Sequence, residues 1–153
     1  MNVPTRRIAV ALCAALAFGA IAPAAALANY PTATTRGSND LPLDLKMSNG
    51  GKDFSGLGLK EDSTSTYVWA NRIDMASCRL YVEAQVGPFF VNETVYGYAT
   101  LRARGRWRIR QDVYEKHGQS KCRIAAWANN GGGVITGQWS ADSTGSYVAI
   151  NGD

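Results

Sequence analysis

Alternating apolar and polar positions dominate the chain from residue 66 onward. Seven runs of five to nine residues, rich in Val, Ile, Tyr, Trp and Thr, are separated by Gly, Asn and Asp. No stretch keeps the 3.6-residue period of a helix. The pattern therefore predicts an all-β fold, a single antiparallel β-sandwich or barrel of about seven to eight strands. The predicted strands span residues 66–73, 78–86, 94–101, 106–114, 122–128, 134–139 and 146–150.

The first 65 residues have a different composition. Two arginines are followed by an apolar, alanine-rich run that ends in Ala-Leu-Ala at residue 28. This arrangement predicts a signal peptide over residues 1–28, and hence a secreted, extracellular protein of bacterial-type export with no membrane span after cleavage. Residues 29–65, rich in Gly, Ser, Thr, Asn and Asp, are predicted to be a leader with one or two short strands. The core is predicted to occupy residues 66–153.

Two cysteines remain after the predicted cleavage, Cys78 and Cys122. In an exported chain an even pair of cysteines indicates a disulfide, and two cysteines allow one connectivity. The chain has a single histidine, so the clustered His and Cys ligands of a metal site are missing from the sequence. The sequence predicts one disulfide, no metal and no cofactor.

The most distinctive segment is LRARGRWRIR, residues 101–110, in which every even position is arginine. Period-two alternation places these arginines on one face of a strand and the apolar residues on the other. Because Gly105 is the available turn residue, we expect a hairpin with a three-residue loop at positions 103–105, in which Leu101 faces Trp107. The residues predicted to bind a ligand are Arg102, Arg104, Arg106, Arg108, Arg110, Tyr96 and Tyr98.

The charge is concentrated in this region. The whole chain carries a formal net charge of +4, while residues 102–123 hold eight bases and two acids. Guanidinium groups bind phosphate, sulfate and carboxylate, and tyrosines can stack beside them. The sequence therefore favours a non-catalytic module that binds an anionic polymer or anionic surface, namely nucleic acid, a wall polymer or an acidic polysaccharide. A solvated outer sheet face is the open alternative, and the oligomeric state is not defined by the pattern.

Two other functions fit the size and the predicted compartment. One is a small secreted inhibitor of extracellular enzymes, for which no reactive loop stands out. The other is catalytic: the spacing of Glu93, Arg104, Arg108 and His117 resembles that of the small secreted microbial ribonucleases of the barnase type. The resemblance implies that Glu93 is the general base, that both arginines hold the phosphate and that His117 is the general acid.

An aromatic pair follows Pro88 at a predicted turn, Phe89 and Phe90. Aromatic side chains at such a turn can cover the end of a sandwich or contact a membrane or a partner. We predict that Phe89 and Phe90 cover the end of the sandwich.

Overall fold

The structure, a computed structural model, describes residues 40–151. The predicted signal peptide and residues 29–39 of the leader lie outside the described residues. Within residues 40–151, no helix is both long and apolar enough to cross a membrane.

Strands make up most of the described chain, which confirms the all-β class. Two predicted strands, residues 66–73 and 78–86, have the predicted bounds. The described residues contain eleven strands instead of seven or eight, because the leader contributes three and the segment after Pro88 contributes one. The elements are β1 (Leu41–Met47), β2 (Lys52–Phe54), β3 (Gly58–Lys60), β4 (Thr66–Ile73), β5 (Cys78–Val86), β6 (Phe89–Asn92), β7 (Ala99–Leu101), β8 (Gly105–Ile109), α1 (Val113–His117), β9 (Ser120–Ala128), β10 (Gly133–Ser140) and β11 (Val148–Ala149).

The strands form two open sheets and no closed barrel. Sheet A has the order β1-β10-β4-β8-β11. Sheet B has the order β2-β9-β5-β6, with β3 also pairing with β9 and β7 with β5. The predicted antiparallel layout holds except between β8 and β11, which run parallel.

The two sheets enclose one apolar core. Alternate residues of β1 and β5 point inward, so Leu43 and Leu45 of sheet A are buried with Leu80 and Val82 of sheet B. Each such side chain contributes about 1.5–3 kcal/mol through the apolar area it removes from water. The alternate positions of each strand therefore face outward, and they form the two surfaces on which a ligand can bind.

The predicted disulfide is wrong. Cys78 and Cys122 are both buried and both free. They lie on adjacent strands but at opposite ends, because Cys78 is opposite Ala128 while Cys122 is opposite Ala84. Six residues of strand separate them by about 20 Å, whereas the Cα atoms of a disulfide lie within about 7 Å. Burial raises the pKa of each thiol to about 12.

The predicted arginine hairpin is also wrong. β7 pairs with β5 in sheet B, where Leu101 is opposite Cys78. β8 pairs with β4 in sheet A, where Arg106 is opposite Trp69. Residues 102–104 therefore cross from one sheet to the other, since the alternation specifies which side chains are buried but not which strand is the partner. Gly105 follows the crossing, with a φ of +151°, and a Cβ there would lie 2.9 Å from the ring of Trp107.

Candidate anion-binding surface

Strand β8 carries two arginines on the outer face of sheet A. Arg106 and Arg108 alternate with Trp107 and Ile109, and Ile109 is fully buried in the core. Both arginines are half-buried, and in the register with β4 they lie opposite Trp69 and Tyr67 respectively. The two guanidinium groups therefore stand beside aromatic side chains of the neighbouring strand.

Aromatic rings lie beside Arg106 and on the same face of the sheet. The guanidinium of Arg106 lies 5.4 Å from the centroid of the Trp69 ring. The rings of Tyr67 and Tyr147 have their centroids 4.9 Å apart at an angle of 39°. Stacking on a ring leaves the edge of a guanidinium free to donate hydrogen bonds, so Arg106 is held in place without losing its donors.

Tyr67 stays protonated at neutral pH. Burial raises the pKa of its hydroxyl to about 12, although the positive charge of Arg106 acts in the opposite direction. Tyr67 is itself only 8% exposed, so what the surface offers an anion is the positive charge of the arginines.

Within the described residues, the arginines at positions 104–110 have no acidic partner. Among residues 40–151, no carboxylate lies within salt-bridge distance of Arg104, Arg106, Arg108 or Arg110. The Nε of Arg108 is moreover buried with no hydrogen-bond partner in the described chain. Five other cations of the described chain are paired with carboxylates: Lys46 with Asp44, Lys60 with Asp142, Arg72 with Asp74, Lys116 with Glu93 and Arg123 with Glu83. Lys52, Arg79 and Lys121 have no carboxylate within salt-bridge distance among residues 40–151, but they do not form a row along one strand.

Three of the other predicted binding residues, Arg102, Tyr96 and Tyr98, do not share this surface. Arg104 and Arg110 are exposed and adjoin the two ends of β8, whereas Arg102 lies in the crossing between the sheets. Tyr96 is exposed in the loop before β7. Tyr98 belongs to the side of sheet B, since the guanidinium of Arg79 lies 4.6 Å from its ring centroid. The single ribbon face is therefore wrong: Arg106 and Arg108 share the outer face of β8, and Arg104 and Arg110 adjoin this strand in the chain.

A cleft of about 230 Å³ lies beside the crossing segment. It is lined mainly by apolar residues, among them Leu101, Trp107 and Ile150, and also by Arg102. Neither Glu93 nor His117 lines this cleft.

Two residues of the predicted catalytic set are in contact. Glu93 Oε1 lies 2.8 Å from His117 Nε2, and Glu93 Oε2 lies 2.5 Å from Lys116 Nζ. The Glu93 side chain is 5% exposed, and both of its oxygens are occupied by groups from α1. Burial alone would raise the pKa of this carboxyl, but the hydrogen bonds and charges of Lys116 and His117 outweigh it and lower the pKa. A carboxylate held in this way attaches the helix to the end of β6.

The structure also adds residues that the pattern did not single out. Tyr67 and Trp69 lie on β4, a strand that is apolar at both even and odd positions, so the alternation does not identify which of its faces is exposed. Tyr147 lies in the loop before β11 and reaches this surface through its contact with Tyr67. In the described residues, no three His, Cys, Asp or Glu side chains are grouped so as to hold a metal ion.

Residues 31–143 match a family of proteins described as "Protein of unknown function (DUF2712)". The chain belongs to the DUF2712 family. The match covers β1 to β10, and it therefore includes β8 and its arginines. No curated protein and no solved structure matches this DUF2712 chain.

Proposed function

We propose that this DUF2712 chain is an exported, non-catalytic module that binds an anionic polymer on the outer face of sheet A. The observation that supports the proposal is the set of arginines at positions 104, 106, 108 and 110, none of which has a carboxylate partner among the described residues. Arg106 and Arg108 are alternate residues of β8, so their Cα atoms are about 6.7 Å apart, and Arg104 and Arg110 adjoin the two ends of this strand. A line of cations at this spacing suits a ligand with repeated negative charges better than a single small anion.

The aromatic neighbours support the same proposal. Trp69 stacks on Arg106, and Tyr147 lies on the same face against the ring of the buried Tyr67. Rings beside guanidinium groups can stack on sugars or bases, while the guanidinium groups bind phosphate, sulfate or carboxylate. Nucleic acid, an anionic wall polymer and an acidic polysaccharide all share this combination of rings and charges.

The test is binding to immobilised heparin and to a labelled single-stranded RNA at increasing salt. For the unaltered protein, the logarithm of the affinity should fall linearly with the logarithm of the salt concentration, because bound cations release counterions. Arg106→Ser combined with Arg108→Ser should weaken binding at low salt at least tenfold. The same change should reduce the slope by about two, one for each lost contact.

A matched control removes the same charge from the same sheet. Lys46 and Arg72 are also on sheet A, but each is paired with a carboxylate. Changing both to Ser should reduce the affinity less than threefold. Equal losses in the two double variants would show that only net charge matters, and an affinity independent of salt would refute binding through charge.

Cleavage of RNA is the second candidate, because Glu93 and His117, the base and the acid that the ribonuclease resemblance implies, lie close together. Against it, both oxygens of Glu93 are already engaged and its pKa is lowered, which weakens it as a base. Recovering the RNA from the binding experiment and running it on a gel distinguishes the two functions. Intact RNA agrees with a binding module, whereas RNA cut by the protein but not by its His117→Ala variant would establish the ribonuclease.

A further inference from the structure

Lys60, the last residue of β3, is the one fully buried charged side chain among the described residues. Lysine is almost never fully buried unless it is paired, whereas single exposed apolar side chains are common. Phe89 is an exposed side chain of this kind. It is 71% exposed, so the prediction that it covers the end of the sandwich is wrong, but one exposed ring does not define a site. The surroundings of Lys60 are therefore the more informative feature.

The ammonium group of Lys60 lies against the carboxylate of Asp142. Lys60 ends β3 in sheet B, Asp142 lies in the loop after β10 of sheet A, and Nζ is 2.5 Å from Oδ1. The carboxyl carbon is bonded to Oδ1, so it lies no more than about 3.8 Å from Nζ. Reacting atoms in a near-attack arrangement are about 3–3.5 Å apart. The amine and the carboxyl carbon are therefore close to the separation from which an amide bond forms.

Burial and proximity both favour an amide over the ion pair. In water, an amine and a carboxylic acid stay ionised because water solvates both ions. The Nζ of Lys60 is removed from water, and its attraction to Asp142 has to offset the lost solvation. Well-oriented groups within one molecule also react as if at effective concentrations of about 10⁵–10⁸ M. Condensation to a neutral amide removes both charges, and the solvation that each charge requires no longer has to be replaced.

Two groups beside Asp142 are placed to assist this reaction. The backbone N–H of Glu61 donates to Asp142 Oδ2 at 3.0 Å. An N–H in this position stabilises the negative charge that develops on Oδ2 when Nζ attacks the carboxyl carbon. The carboxylate of Asp62 lies 3.6 Å from Lys60 Nζ, and it is held in place by hydrogen bonds from the N–H and the hydroxyl of Thr64. Asp62 can therefore accept a proton from Nζ and return it to a leaving oxygen.

We propose that Lys60 and Asp142 condense to an amide that links β3 of sheet B covalently to the loop after β10 of sheet A, with Asp62 as the proton carrier. The structure shows the ion pair from which the reaction starts. One proton passes from Nζ to Oδ1, which leaves a neutral amine and a carboxylic acid. Nζ then bonds to the carboxyl carbon, and the bond from that carbon to Oδ1 breaks. Asp62 carries a second proton from Nζ to the departing hydroxyl, which leaves as water, and the amide nitrogen keeps the third proton.

This link would provide the covalent brace that the cysteines do not. Cys78 and Cys122 lie at opposite ends of adjacent strands and are free. Lys60 and Asp142 are in contact although 82 residues separate them in the sequence, and closing so long a loop restricts the unfolded chain. The Asp142 side chain is 23% exposed, which gives the released water a way out. The link does not depend on the arginines of β8 or on the proposed function.

The experiment is mass spectrometry of the purified chain, its N-terminus determined first, during incubation at neutral pH for several days. A species lighter by one molecule of water should accumulate until it is most of the protein. Trypsin locates the bond, because cleavage after Lys60 is blocked once Nζ is an amide. The digest should contain residues 53–72 joined to residues 124–153. The same chain kept in urea should keep its full mass, since unfolding separates the two side chains.

Lys60→Met controls for water lost elsewhere. An aspartate can also lose water by closing a ring with its own backbone, and Asp142 in this variant keeps that route but has no amine to attack it. The variant should therefore keep its full mass, with circular dichroism to show that it is folded. Measurements of stability at this pair use as their reference unaltered protein whose mass shows the ion pair.

A matched pair of acidic residues tests the proton carrier. Asp62→Ala should form the bond at least about tenfold more slowly, because it removes the general base. Glu61→Ala removes the neighbouring carboxylate but keeps the backbone N–H that donates to Asp142, so its rate should stay within about twofold of the unaltered rate. Equal rates in the two variants would refute the role of Asp62.

Two results would overturn the link itself. The first is an unchanged mass of the unaltered chain after incubation, which would leave Lys60 and Asp142 as an ion pair. The second is the same loss of water in Lys60→Met, which would place the reaction within the backbone next to an aspartate.

Discussion

Lys60 and the arginines of β8 show two opposite uses of positive charge in one small domain. Lys60 is fully buried, and its Nζ lies 2.5 Å from Asp142 Oδ1 and 3.6 Å from Asp62, with a further hydrogen bond to the carbonyl of Thr64. Arg106 and Arg108 face outward with no carboxylate partner in the described chain. The charge of Lys60 is neutralised inside the protein, where it joins the loop after β3 to the loop after β10. The charges on β8 remain available to a ligand.

Removing Asp142, the partner of Lys60, should have the largest effect on stability. Asp142→Ala leaves an ammonium group buried beside its weaker partner Asp62, so the free energy of unfolding should fall by about 3 kcal/mol. Urea denaturation followed by circular dichroism measures the change. The control is Asp44→Ala, because the exposed pair of Asp44 with Lys46 should contribute less than about 0.5 kcal/mol.

The double variant Asp142→Ala, Lys60→Met tests whether the unpaired charge of Lys60 causes the loss of stability. Methionine fills the space of the lysine stem without a charge, and replacing a buried ion pair by apolar groups often costs little. Most of the lost stability should therefore return. A double variant as unstable as the single one would mean that the loops, and not the charge, account for the loss.

Glu93 offers a smaller effect that depends on pH. Its pKa in the folded protein is lowered, so its ion pairs stabilise the fold above the ordinary pKa of 4.5 and are lost as the pH falls through the folded value. Glu93→Gln should lower the free energy of unfolding at pH 7 by about 1.5 kcal/mol, because hydrogen bonds to charged groups are replaced by neutral ones.

The pH profile gives the check for this variant. Urea titrations from pH 7 to pH 3 should show a steeper loss of stability for the unaltered protein than for Glu93→Gln. The stability of the variant should still fall with pH, because the pKa of Asp62 is also lowered. Burial would raise that pKa, but the hydrogen bonds from Thr64 and the charge of Lys60 outweigh burial. Parallel profiles would show that the charge of Glu93 does not stabilise the attachment of α1.

The fold class and two strand boundaries could be predicted because alternation and turn residues are local signals. The partner of a strand is not local. The sequence predicts that β7 and β8 pair with each other. In the structure β7 pairs with β5 in sheet B and β8 pairs with β4 in sheet A, and each strand still buries its apolar side chains there. The same holds for Cys78 and Cys122, whose burial follows from the strand pattern while their separation follows from a register that the sequence does not show.

The candidate site was predictable only in part for a related reason. Positions 104 to 110 stand out in the sequence because the alternation is strict. The aromatic neighbours Tyr67 and Trp69 come from another strand, and they are brought to Arg108 and Arg106 by the β4–β8 register.

Replacing Arg108 should change stability least, whereas removing the partner of Lys60 should change it most. The buried Nε of Arg108 has no hydrogen-bond partner among the described atoms, which is unfavourable in the free protein. Arg108→Met keeps the apolar stem and removes that group, so the unfolding free energy should stay level or rise, by no more than about 1 kcal/mol. Arg106→Met should lower it by about 0.5 kcal/mol, because it loses the stacking on Trp69. Thermal unfolding and heparin retention of both variants measure stability and binding. If Arg108→Met keeps its stability but binds heparin less well, Arg108 serves a ligand. If it loses as much stability as Asp142→Ala, Arg108 is a structural residue like Lys60.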